Sequence, residues 1–188
     1  MERKSSIVGW IRHPNSLTLF RIAAMPLLII MLMFENRLLS ALAALVFSVA
    51  AITDYFDGYV ARRYQLVSNL GKIMDPLADK LLVSTAFIMM IPLDRVPAWM
   101  ICLILGRELA VTGLRNIITE RGEDVSASWL GKFKTGFQIA AIIPLLIHYT
   151  YFGIPFQIIG EIVLWAALLI TLWSGADYFL RFRRLLEY

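Results

Sequence analysis

The chain has little with which to cross-link, to ligate soft metals or to stay in water. One cysteine and two histidines in 188 residues exclude a disulfide scaffold and a redox framework. Cys102, inside Ile101-Cys102-Leu103-Ile104-Leu105, is expected to be a small core hydrophobe. His13 and His148 have no metal-ligand partner three or four residues away. Charged residues make up only 17%, against about 25% in soluble domains, which excludes a disordered chain. No internal repeat, low-complexity run or long linker is present. What fills the space is apolar: 59% of the residues, with a mean hydropathy of +0.70. A globule this small has too much surface for its volume to hide that excess, so part of it must face lipid.

Apolar stretches run Leu17–Phe34, Leu38–Thr53, Leu81–Leu93, Val96–Gly106, Phe137–Phe152 and Ile154–Leu172. Crossing a bilayer takes about 20 helical residues. Several stretches are shorter, so their helices are expected to run on into the polar residues beside them. Six spans put both termini on one side. All but two of the eighteen Lys and Arg residues, Arg37 and Arg95, fall at the termini, in two of the connections, or at the helix ends adjoining them. The positive-inside bias makes that side cytoplasmic. The expected fold is an all-α integral membrane protein in the inner (cytoplasmic) membrane. Residues 14–188 form a six-helix bundle, and both termini are cytoplasmic.

Residues 1–13 do not form a cleavable signal, because Ile7, Val8, Trp10 and Ile11 are interleaved with Glu2, Arg3, Lys4 and Arg12. Their spacing predicts a short amphipathic helix lying in the interface. The whole chain, 1–188, reads as a single membrane domain. No nucleic-acid partner is expected.

Against this apolar background four aspartates stand out. The second stretch ends in Asp54-Tyr55-Phe56-Asp57-Gly58, and the third is preceded by Asp75-Pro76-Leu77-Ala78-Asp79. On a helix, Asp54 and Asp57 lie about 60° apart, and Asp75 and Asp79 about 40° apart. A hairpin between the two helices would bring both faces to one depth. Two such carboxylates about 5 Å apart repel by roughly 3 kcal/mol at an effective dielectric constant of 20. Either some are protonated or cations hold them. An all-oxygen donor set suits Mg²⁺, Mn²⁺ or Ca²⁺ rather than zinc. Gly58 and Ala61 each lie one turn beyond a carboxylate, where a small residue leaves room for a flat ligand.

Asp54-x2-Asp57-Gly58-x2-Ala61-Arg62-x8-Gly71-x3-Asp75-x3-Asp79 fixes eight residues across 26 positions. It resembles the signature of the CDP-alcohol phosphotransferase family at every fixed position. The resemblance implies two divalent ions, Mg²⁺ or Mn²⁺, and a CDP-linked donor lipid, CDP-diacylglycerol. It implies that Asp54, Asp57, Asp75 and Asp79 ligate metal, with Asp79 also the base for the acceptor hydroxyl. Gly58, Ala61, Arg62 and Gly71 would form the nucleotide pocket. Pro14-Asn15-Ser16-Leu17-Thr18-Leu19-Phe20-Arg21 resembles the family segment that closes over cytidine, which adds Asn15, Thr18 and Arg21. The family also implies a homodimer among membrane lipids.

The second half carries cations. Arg107 and Arg115 sit about 80° and 12 Å apart on one helix, and Lys132 and Lys134 follow a connection later. Loop cations need only the positive-inside rule, but Arg107 and Arg115 adjoin an apolar span and need a buried partner, for which Glu108 is available. Guanidinium groups pair well with phosphate oxygens, so Arg107, Arg115, Lys132 and Lys134 are candidate ligands of an acceptor's phosphate. Arg107-Glu108-Leu109, Leu114-Arg115, Val125-Ser126-x-Ser128-Trp129-Leu130-Gly131-Lys132-x-Lys134-Thr135 and Leu172-Trp173-Ser174-Gly175 resemble the branch of the family whose acceptor is sn-glycerol 3-phosphate. That resemblance implies transfer of the phosphatidyl group to this acceptor, with release of CMP. Inositol phosphate would also require a basic pocket and stays open. So does a small cation-coupled transporter, against which count the aspartates' placement near one face and the lack of paired broken helices. Glu161, in the outer half of the last stretch, has no role on this reading.

Overall fold

The computed structural model describes residues 15–64, 69–120 and 129–186. The interfacial helix expected over residues 1–13 lies outside them. Among the described residues the chain forms six helices: α1 Asn15–Leu32, α2 Arg37–Tyr64, α3 Asn69–Met90, α4 Ala98–Glu120, α5 Trp129–Ile147 and α6 Phe156–Leu186. A short antiparallel hairpin, β1 Thr150–Tyr151 and β2 Ile154–Pro155, stands between α5 and α6. The chain divides into two compact units, Met1–Met89 and Met90–Tyr188.

In the first unit α1 packs on α2. The buried face of α1 reads Arg21, Ala24, Leu28 and Leu32, and that of α2 reads Ser40, Ala43, Ala44, Phe47 and Ala50. Steps of three and four are the helical period, and the three buried alanines on α2 let the backbones approach closely. Asn36 starts α2 as its N-cap, its Oδ1 accepting the Leu38 N–H at 2.8 Å. Buried residues on α3 follow the same period: Ala78, Leu82, Val83, Ala86, Phe87 and Met90.

In the second unit α6 packs along α5 and against α4. Gly160 makes the α5–α6 approach possible. A Cβ there would stand 2.5 Å from Cγ of Leu145 and 3.0 Å from its backbone nitrogen. The helices extend past their apolar stretches into polar sequence, α2 to Tyr64, α4 to Glu120 and α6 to Leu186, as the shortness of those stretches requires. Outward faces stay apolar: Leu27, Ile30, Leu45, Ile88, Ile162 and Leu169 are exposed. Phe156–Leu180 is long and apolar enough to cross a membrane, and only 28% of its most apolar window is buried. Helices apolar on both faces are consistent with an all-α membrane protein.

Two expectations need correction. Cys102 is exposed on α4 rather than in the core. Ile101 and Ile104 take the inward positions, and Cys102 is turned about 100° from Ile101. The stretch Phe137–Phe152 does not stay helical to its end. Positive φ at His148, and then at Phe152 and Gly153, breaks the helix and closes the two-residue turn of the hairpin.

Polar contacts hold this end of the second unit. Arg95, 3% exposed, donates from Nη1 to the Leu146 carbonyl at 2.7 Å, satisfying an orphan acceptor in the last turn of α5. Gln157 Nε2 donates to the Arg95 carbonyl at 2.9 Å and to Glu161 Oε1 at 2.7 Å, while its Oε1 meets His148 Nδ1 at 2.9 Å. Glu161 thus belongs to a structural network. Arg95→Met is expected to lower stability by about 1.5–3 kcal/mol, the worth of a hydrogen bond from a charged group. A lower thermal midpoint in detergent checks this, and an unchanged midpoint would contradict it.

Candidate active site

The backbone carries the aspartate signature on two helices. Asp54, Asp57, Gly58, Ala61 and Arg62 lie in the second half of α2, and Gly71, Asp75 and Asp79 in the first half of α3. Continuous helix at both places gives each aspartate pair, at i,i+3 and i,i+4, a common face. Pro76 sits well inside α3. Asp79 is half-buried, and Arg21, on the inward stripe of α1, is 2% exposed. The side chains of Asn15, Thr18, Asp54, Asp57, Gly58, Ala61, Arg62, Gly71, Asp75 and Lys132 lie outside the described part. Among the described residues no three His, Cys, Asp or Glu side chains converge. The four aspartates expected to ligate metal offer carboxylate oxygen alone, a donor chemistry that fits a hard divalent cation.

The cationic set is described in more detail. Arg107 and Glu108 lie in the middle of α4, Lys134 in the second turn of α5, and Ser174 and Gly175 in the second half of α6. Glu108 Oε1 accepts from Arg107 Nη1 at 3.3 Å and from Lys134 Nζ. Arg107 Nη2 donates to Ser174 Oγ at 2.8 Å. The three charged side chains are only 7%, 15% and 13% exposed for Arg107, Glu108 and Lys134. Farther along the same helices Gln138 Nε2 donates to Thr171 Oγ1 at 3.3 Å, both residues buried. Arg115, two turns on from Arg107, is exposed.

Two cations from neighbouring helices thus share one carboxylate, with little of any of the three side chains open to solvent. A phosphate group, with several acceptor oxygens, is suited to pair with such cations.

The structure therefore brings Arg107 and Lys134 together, and Glu108, which the sequence offered to Arg107 or Arg115, partners Arg107. It adds Ser174 and Gly175. Leu172-Trp173-Ser174-Gly175 had a sequence signal as a motif, but nothing in the spacing tied it to Arg107.

A family model for CDP-alcohol phosphatidyltransferases matches residues 11–173. The chain belongs to this family. Its relatives include the CDP-diacylglycerol–glycerol-3-phosphate 3-phosphatidyltransferase of Bacillus subtilis (strain 168), 43% identical over 182 residues, covering 88% of this chain and 92% of the relative. The protein of that name from Rickettsia typhi is 43% identical over 167 residues, covering 88% and 94%. That from Blochmanniella floridana is 36% identical over 176 residues, covering 90% of each. The chain is thus an enzyme of the CDP-alcohol phosphatidyltransferase family, a transferase of phospholipid biosynthesis.

If Glu108 is shared by both neighbours, its removal and theirs must be coupled. Glu108→Gln is expected to lower the thermal midpoint, and adding Lys134→Met to recover part of the loss. The coupling should be about 0.5–3 kcal/mol for residues in direct contact. Strictly additive midpoints would contradict a shared carboxylate.

Proposed function

We propose that this chain transfers the phosphatidyl group of CDP-diacylglycerol to sn-glycerol 3-phosphate, giving phosphatidylglycerophosphate and CMP. The names of its relatives support this reaction. The observation that carries the acceptor half is the Arg107–Glu108–Lys134 cluster, two cations gathered on one carboxylate. A serine acceptor, a zwitterion with no phosphate, would not need such a basic pocket.

In this reading Asp54, Asp57, Asp75 and Asp79 would hold two divalent ions, Mg²⁺ or Mn²⁺. When bound, these neutralise the donor's diphosphate and stabilise the departing CMP. Asn15, Thr18, Arg21, Gly58, Ala61, Arg62 and Gly71 receive the cytidine nucleotide. Arg107 and Lys134, with Arg115 and Lys132, hold the acceptor's phosphate and so orient its free hydroxyl. Asp79 accepts the hydroxyl proton as the new phosphorus–oxygen bond forms.

The wider setting belongs to the same proposal. All six helices cross the inner membrane, residues 1–13 lie along its surface, and both termini and the active site face the cytoplasm. The family match crosses both compact units, which supports one functional domain. The enzyme works as a homodimer surrounded by membrane lipids.

Purified protein given CDP-diacylglycerol, Mg²⁺ and labelled glycerol 3-phosphate is expected to release CMP and form a labelled lipid. Asp79→Asn should lower kcat by about 10²–10⁴-fold, the usual contribution of a positioned base. Full activity in Asp79→Asn would remove the base assignment. Turnover with inositol phosphate alone would move the acceptor while keeping the reaction class.

A further inference from the structure

The guanidinium of Arg107 is held more tightly than its ion pair with Glu108 requires. Gly175 faces the arginine's stem. A Cβ on Gly175 would stand 2.9 Å from Cγ of Arg107, 3.3 Å from Nε and 3.7 Å from Cδ. Cγ is near the root of the side chain, so it cannot swing clear as a free tip would. Any side chain at position 175 would force Arg107 into another rotamer. Ser174, 2% exposed, then takes Nη2 on its hydroxyl at 2.8 Å, while Glu108 takes Nη1.

This placement has a cost. Nε of Arg107 is shut off from solvent with no hydrogen-bond partner among the described residues. Buried donors are normally satisfied. A guanidinium that forgoes one hydrogen bond is held where packing puts it, against the bare backbone of Gly175. The reward is a fixed orientation: of five N–H groups, one goes to Glu108 and one to Ser174, and each terminal nitrogen keeps a second. Nearby, Gln138 and Thr171 join α5 to α6, which holds the register of Ser174 relative to Lys134.

We infer that the Ser174–Gly175 step of α6 is a positioning element for acceptor recognition: Gly175 gives the Arg107 stem its berth, and Ser174 sets the plane of its guanidinium. The inference rests on the reading that Arg107 and Lys134 hold the acceptor's phosphate. Neither Ser174 nor Gly175 touches the substrate; both act through Arg107.

The test compares Ser174→Ala, Ser174→Thr, Gly175→Ala and Arg107→Ala in the purified enzyme. Ser174→Ala and Gly175→Ala are each expected to raise the KM for glycerol 3-phosphate about tenfold, as expected for one lost hydrogen bond to a charged group. The KM for CDP-diacylglycerol should stay unchanged, and Ser174→Thr, which keeps the hydroxyl, should restore the acceptor KM. Should Gly175→Ala fail to fold, Ser174→Ala, which removes a single oxygen, still decides. If Arg107→Ala raises the acceptor KM while Ser174→Ala leaves it untouched, the positioning role is overturned and the phosphate site stands. If Arg107→Ala leaves it untouched as well, the phosphate site falls and the positioning role with it. Equal changes in both KM values would mark a general structural defect and also overturn the inference.

Discussion

One carboxylate between two buried cations organises the second unit. Glu108 holds Arg107 from the same helix and Lys134 from α5, while Ser174 of α6 takes the far side of the guanidinium. Three helices are thereby joined at one level by charge rather than by apolar packing. In a low-dielectric setting such a contact is strong when complete and costly when any member is missing. The proposed phosphate-bearing ligand would meet the same guanidinium that joins the helices.

The apolar exterior follows from the same economy of charge. Exposed leucines and isoleucines cover the outward faces of the helices, and most of the longest apolar segment is not covered by protein. Ionisable groups are correspondingly few and gathered. Some are paired, as at Glu108; others close helix ends, as Arg95 does at Leu146. The aspartates along α2 and α3 are the acidic counterpart in the first unit, and the proposed divalent cations suit their all-oxygen chemistry.

Much of this was legible in the residues because a helix turns spacing into direction. The interval from Asp54 to Asp57 and that from Asp75 to Asp79 each define one face wherever a helix forms, and helices formed at both places. Glu108 could be named as a partner for one of Arg107 and Arg115, and the packing shows that it is Arg107. What stayed hidden depended on other helices. Nothing in the order of residues places Gly175 against the stem of Arg107, 68 positions earlier in the chain, and only the packing of α4 on α6 does so. Cys102 was misplaced for a related reason. In a run where every residue is apolar, hydropathy carries no phase, so the inward face cannot be told from the outward one. The hairpin after α5 was masked in the same way, since Tyr151, Phe152 and Ile154 read as a continuation of apolar sequence.

Discrimination between glycerol 3-phosphate and glycerol, which lacks only the phosphate, tests most directly whether the cationic cluster exists to hold that group. A site built around a polar group rejects the analogue without it by about 10⁴-fold or more in kcat/KM. The account expects the wild-type protein to show such a ratio, and Arg107→Met and Lys134→Met each to lose most of it. The same ratio in wild type and both variants would contradict it.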